Sequence, residues 1–213
     1  SGGSMSQHLI ATNYPGLLDA IIPGRSYPDV LTFQMPLNDC NLLVNYFKDS
    51  KLGWTEIQKA EVSGKLTFQY CVAPAARFPN LRVDNCDPSV KDYLDNNPAA
   101  KAKGIRCTYA DNMVNIFGAD PKTGNARSPW DNVGIQYGLK AFNDGIITFE
   151  QFADLNTKVG GHDIDGKLVS ARTVGDPEAL RIAYSTGAMT TGVGLGDVPM
   201  LDIRGYTDGI CTV

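Results

Sequence analysis

Between Ser4 and Asn13 the positions Met5, Leu9 and Thr12 recur on one side of a helical spacing, while Gln7 and Asn13 fall elsewhere. That pattern predicts a moderately amphipathic helix. "NYPG" ends it, because the residue before Pro15 is pushed out of the α region. The run "LLDAIIPG" that follows is short, apolar and closed by Pro-Gly, which reads as a buried parallel strand. A helix followed by a buried strand is half of a βαβ unit and calls for a strand ahead of the helix. The strand pattern returns only near the end, in "VPMLDIRG", with Pro199 near its start and Gly205 at its stop.

From about Tyr27 to Leu195 the chain is rich in Asn, Asp, Pro and Gly, and its regular elements are short. "PLNDCNLLVNYFKDS" predicts a helix with Asn38 or Asp39 near its cap. "TEIQKAEVSG" opens with a capping box from Thr55 to Gln58. "DPSVKDYLDNN" and "DPEALRIAYSTG" each start on an Asp cap with Pro at the first helical position, the second ending on Gly187. "NVGIQYGLKAFNDG" and "TFEQFADLNTKVGG" predict a helical hairpin, its second helix opening with a capping box from Thr148 to Gln151. Short helices joined by long loops describe a lid. The expected organisation is therefore residues 1–26 and 196–213 as parts of an α/β core, with residues 27–195 inserted between them.

With 213 residues, 43% hydrophobic and 20% charged, the chain has an ordinary globular composition. A net charge of −4 without any Lys/Arg cluster argues against nucleic acid as a partner. The longest apolar run, "GLLDAIIPG", is interrupted by Asp19 and falls well short of the ~20 residues that span a bilayer. Cys40, Cys71, Cys86 and Cys107 are scattered through a loop-rich stretch without any C-x-x-C pair, and only two histidines are present. This spacing does not suit zinc; it suits two disulfides in an exported protein, in one of three connectivities, with free thiols as the rival reading. Cys211, the fifth, would then want a partner outside the chain.

Two places carry chemistry. Ser1-Gly2-Gly3 is the S-x-G half of a nucleophile elbow, G-x-S-x-G, and the expected helix follows it directly. There Ser1 is the candidate nucleophile, and the Gly2 N–H, at a helix N-terminus, is a candidate oxyanion donor. "SGGS" also occurs as a plain linker. "VPMLDIRGYTDG" ends a strand and then presents Asp208, the position at which α/β-hydrolases commonly hold the triad acid. A turn-capping aspartate is the simpler reading of Asp208 alone. Ser and Asp in hydrolase order, each beside the right element, strengthen each other.

The stretches "SGGSMSQHLIATNYPGLLDAIIPG", "DNVGIQYGLKAFNDGIITFEQFADLNTKVGGHDIDGKLV", "DPEALRIAY" and "LGDVPMLDIRGYTD" resemble a family of bacterial exported proteins of poorly defined function. The resemblance implies an α/β-hydrolase fold distantly similar to the tannase and feruloyl esterase group. It implies that Ser1 is the elbow nucleophile, Gly2 the oxyanion donor and Asp208 the acid, with Asp202 a weaker competitor. The family's histidine, its early strands and its second oxyanion donor lie outside these residues. His8, two turns into the helix, should face away from the Ser1 hydroxyl. His162 precedes Asp208 in the chain, against the Ser…Asp…His order, and reads as a surface turn residue.

The expectation is a partial α/β-hydrolase fold, with a nucleophile helix, two core strands and a large helical lid, in a secreted or periplasmic serine hydrolase of carboxylic esters. Such a chain is a fragment or processed piece whose partners are the remaining segments of the same hydrolase and an ester substrate. No organic cofactor is needed. No metal is expected either: "NDGIITFEQF" imitates half of an EF-hand, but of Lys140, Phe142, Asp144 and Gln151 only Asp144 would ligate well. "DIDG" reads as a tight turn. Trp54 and Trp130 suit either a substrate pocket or the lid's core. Two rivals stand beside this reading. One is an N-terminal-nucleophile hydrolase using the Ser1 amine as base, although those enzymes stack antiparallel sheets. The other is a non-catalytic exported binding module.

Overall fold

The computed structural model describes residues 2–77, 114–122, 126–164 and 166–205. Ser1, Cys86, the helix expected after Asp87, Cys107, Asp208 and Cys211 lie outside the described residues. The described residues are mostly helical, and their one sheet is a two-stranded hairpin.

Helix α1, Gly2–Asn13, follows the opening serine directly, two residues earlier than the apolar pattern alone indicates. Behind it, residues 21–25 and 199–203 run parallel, with Ile21 opposite Met200 and Gly24 opposite Ile203. Four backbone bonds join them: Ile21 N–H to Pro199 O (3.0 Å), Leu201 N–H to Ile21 O (3.1 Å), Ile203 N–H to Pro23 O (2.9 Å) and Arg25 N–H to Ile203 O (2.9 Å). The two stretches read as core strands therefore meet, over a span shorter than "LLDAIIPG", whose first residues are bend and irregular. The far edge of 21–25 is satisfied by α1. Gln7 Oε1 accepts from Ile22 N–H (3.1 Å), while Ser4 Oγ accepts from Gly24 N–H (3.0 Å) and donates to Gly24 O (2.6 Å). Ala11, Ile21 and Val198 close a small core between them.

The intervening residues build a larger core of their own. Helix α2, Val30–Asp49, is the longest described element. It starts eight residues before Asn38, contrary to the sequence expectation, because Asp29 caps it: Oδ1 accepts from Thr32 N–H (2.7 Å) and Oδ2 from the Thr32 hydroxyl (2.9 Å). Pro36, which reads as a helix start, sits inside this helix. A mid-helix proline costs about 3 kcal/mol, so burial of Leu37, Cys40, Leu42 and Leu43 on its inner face must outweigh it. Helices α3, Glu56–Ser63, and α4, Gln69–Arg77, pack beside it, and a Cys40–Cys71 disulfide ties α2 to α4. The Thr55–Gln58 capping box opens α3 as the sequence indicates.

After the short α5, Val114–Phe117, come α6, Leu139–Asn143, and α7, Phe149–Lys158. The Thr148–Gln151 capping box opens α7 as expected. The first helix of the expected hairpin is only these five residues, since "NVGIQYG" spends its length on turns with Gly134 and Gly138 at positive φ. Strands β1, Gly161–His162, and β2, Leu168–Val169, form an antiparallel hairpin. A Cβ on Gly160 would lie 2.2 Å from Val169 O, and one on Gly161 2.4 Å from Thr173 N, so "GG" is what lets the hairpin fold back. Helix α8, Pro177–Ser185, is capped by Asp176, whose Oδ1 accepts from Ala179 N–H (2.9 Å). A 3-10 turn, Leu195–Asp197, leads back to 199–203.

The main core gathers Leu42, Leu43 and Tyr46 from α2, Phe68 and Cys71 from the segment before α4 and the start of α4, and Leu155 and Val159 from α7 and its C-cap. Trp54 packs against it, edge-on to Tyr46 and Phe47, which settles its role as core.

Candidate functional site

Two regions gather functional groups. In the first, Gly2 opens α1, so its N–H is among the backbone donors that a helix leaves unbonded at its start. The first turn carries no acidic side chain, and the helix dipole there favours developing negative charge. Ser1 and Asp208, which the sequence reading pairs with Gly2, lie outside the described residues.

Asp202, the weaker competitor for the acid, is already engaged. It accepts from the Ser26 hydroxyl on both oxygens (2.8 and 2.7 Å) and from Arg204 Nε (2.9 Å). The Arg204 bond, ahead of the Ser26 one, holds its carboxyl below the usual range. Such a carboxylate ties 199–203 to the segment after Pro23. His8 is buried on the inner side of α1, and neither ring nitrogen has a hydrogen-bond partner among the described residues. Burial pushes it below the ordinary histidine value, with the Asp202 charge opposing.

The second region is a pocket, partly open to solvent, between α2, residues 128–135 and the β1–β2 hairpin. Asp39 reaches it from α2, so the residue read as a helix cap faces a cavity instead. The Tyr137 hydroxyl donates to Asp39 Oδ1 (2.6 Å). Asn132, buried behind them, donates to Tyr137 Oη (3.2 Å) and Gly160 O (2.9 Å) and accepts from Thr173 N–H (2.6 Å). Burial pushes the Asp39 carboxyl up, with the Tyr137 bond and then the Arg172 charge opposing. Burial and then the neighbouring Asp39 push the Tyr137 hydroxyl far above its ordinary value.

His162 is no surface turn residue. It sits in β1, half-buried on the pocket wall, with Nε2 2.9 Å from Asn41 Oδ1; since that oxygen only accepts, Nε2 carries the proton. The turn expected at "DIDG" is the tip of this hairpin: Gly166 N–H donates to Asp163 O and Lys167 N–H to Asp163 Oδ1, both at 2.9 Å. In the EF-hand mimic, Asp144 pairs with Lys140, and Gln151 is spent on the α7 cap and on Gly53 O (3.0 Å). No group of three or more His, Cys, Asp or Glu among the described residues is arranged to hold a metal ion. Trp130 lines the pocket, the role the sequence left open.

Sequence reading missed Asp39, Tyr137 and Asn132 as a unit. The only local signal was a pair of carboxylate-bearing and amide neighbours, "ND" and "DN", without any periodicity to join them. Residues 1–211 match a tannase-like family of unknown function, DUF6351. No curated protein and no solved structure matches the chain.

Proposed function

The chain belongs to this tannase-like family, and from that membership we propose that it is part of an α/β-hydrolase acting as a serine carboxylic ester hydrolase. The observation that best supports the reading is the parallel pairing of 21–25 with 199–203 behind α1. It is the arrangement expected when a nucleophile helix leads into one core strand and a long insertion returns to the next. In this reading residues 1–26 and 196–213 belong to the core, and residues 27–195 form the lid.

Ser1 Oγ attacks the ester carbonyl carbon, and its proton passes to a histidine. The tetrahedral oxyanion is held by the Gly2 N–H at the start of α1 and by a second backbone N–H. Collapse expels the alcohol, which takes the proton from the imidazolium, and leaves an acyl-Ser1 ester. Water, deprotonated by the same histidine, then releases the carboxylic acid. Asp208 orients that histidine and steadies its positive charge. His8 is enclosed under α1 and His162 is bound to Asn41, so neither is assigned as the base. The base comes from polypeptide outside residues 1–213. The Cys40–Cys71 disulfide supports an exported protein.

A fluorophosphonate probe on the natural full-length polypeptide tests this. Peptide mass spectrometry should find one adduct on Ser1, and Ser1→Ala should abolish both the adduct and nitrophenyl-ester hydrolysis. An adduct on another residue, or hydrolysis that survives Ser1→Ala, would sink the assignment.

A further inference from the structure

The pocket between α2, residues 128–135 and the hairpin is not used by the proposed chemistry, and its charge is one-sided. Asp39, Asp131 and Asp163 line it, and no lysine or arginine does among the described residues. We propose that this pocket is a binding site for a small organic cation, an alkylammonium whose head sits against Asp39.

Asp39 is the anchor. Its Oδ1 accepts from Tyr137, and no second hydrogen bond reaches the carboxylate among the described residues. The nearest counter-charge, Arg172, stacks over the Tyr137 ring at 5.0 Å and spends its donors on Asn132 O (3.3 Å) and Asn156 O (2.9 Å). It stands behind the tyrosine and does not line the pocket. Burial disfavours the charged carboxyl, so a cation arriving from the open side supplies the compensation the fold leaves out. Asp131 is held by Val133 N–H (2.7 Å) and Gly175 N–H (2.8 Å), which fixes the position of its carboxyl on the wall.

The rest of the wall suits an alkyl chain on an ammonium head. Met35 and Trp130 offer polarizable apolar surface, and an indole face attracts a cation. The polar hub behind Asp39, built on Asn132 and Tyr137, is bonded internally and holds the carboxylate in place. The carboxylates are not grouped to share a metal ion, which favours an organic cation over a divalent one. This inference does not depend on the catalytic reading of Ser1.

Isothermal titration of the full chain with hexylammonium chloride, 1-hexanol and sodium hexanoate tests it. The ammonium ion should bind at least about tenfold more tightly than the alcohol, the scale of one charged hydrogen bond, and hexanoate should not bind. Asp39→Asn keeps an acceptor for Tyr137 and should erase the preference; a thermal melt checks that this variant folds. Asp163→Asn, on the exposed hairpin tip, should weaken the ammonium ion by a smaller factor. Equal binding of ammonium and alcohol, no binding of any probe, or a preference that survives Asp39→Asn would each overturn the proposal. So would calcium chloride competing with the ammonium ion for the pocket.

Discussion

Leu155 and Cys71, inside the stretch between residues 27 and 195, have no exposed surface, whereas Ile22, Leu201 and Ile203 on the two parallel-paired segments keep 62%, 61% and 56% of theirs. The first region closes a core with five helices and a disulfide. The second pairs two short segments and leaves apolar side chains in the open. Parallel strands are ordinarily covered on both faces, whereas the second region keeps these apolar side chains exposed among the described residues. The difference teaches that local helices and a cross-link can close a core by themselves, while a short parallel pair cannot cover its own faces.

The largest test of this contrast is the disulfide. Cys40 and Cys71 are 31 residues apart, and opening a loop of that length costs roughly 4 kcal/mol in the chain-entropy view. Urea denaturation of the Cys40→Ser/Cys71→Ser double variant should show that loss in the unfolding transition of this helical region. Truncating the core comes next. Leu155→Ala should cost about 3 kcal/mol through its cavity, while Ile203→Ala, on the exposed face, should stay within about 0.5 kcal/mol. Similar losses at both sites would mean that the strand face is covered after all.

Smaller effects follow from two titratable groups that burial shifts, the buried His8 and the half-buried Asp39, one in each region. Burial lowers His8 below its ordinary 6.5, so the unfolded chain binds the proton more readily. Stability should be complete above pH 6.5 and fall as pH drops from there through the folded value. His8→Phe should flatten that slope in pH-dependent melts. Asp39 has the opposite sign: its folded value is raised above 3.8, so the ionised carboxyl weighs against folding at neutral pH. Asp39→Asn should raise the melting temperature slightly at pH 7, with the gain vanishing as pH falls to about 3.8, the unfolded value. No gain at pH 7 would mean that the carboxylate is better compensated than its neighbours indicate. A gain would fit a group kept for binding at some expense of stability.

How much was legible follows from the distance over which each signal acts. The capping boxes at Thr55–Gln58 and Thr148–Gln151 and the Asp176-Pro177 start could be read because each is a hydrogen bond between residues three apart. The α2 start was misread because Pro36 looks like a helix opening. Asp29, buried and also accepting from Thr190 N–H (2.9 Å), was decided by a residue 161 positions away. His162 was taken for a turn residue because the hairpin turn is one residue further on. Of the candidate site, Gly2 at the head of α1 was readable from S-x-G followed by a helix.

The sequence by itself determined that a helix follows Ser1, that two apolar stretches near the ends act as strands, and that the chain belongs to a tannase-like family. Propensity, capping and apolar runs are local, and a family pattern is carried in the order of residues. Only the tertiary structure decided that Asp39, Tyr137 and Asn132 meet. Asp39 and Tyr137 are 98 positions apart, and no periodicity encodes a contact between a helix and a loop at that separation. What joins them is the packing of α2 against the loop before α6, and the requirement that a polar group leaving water find a partner.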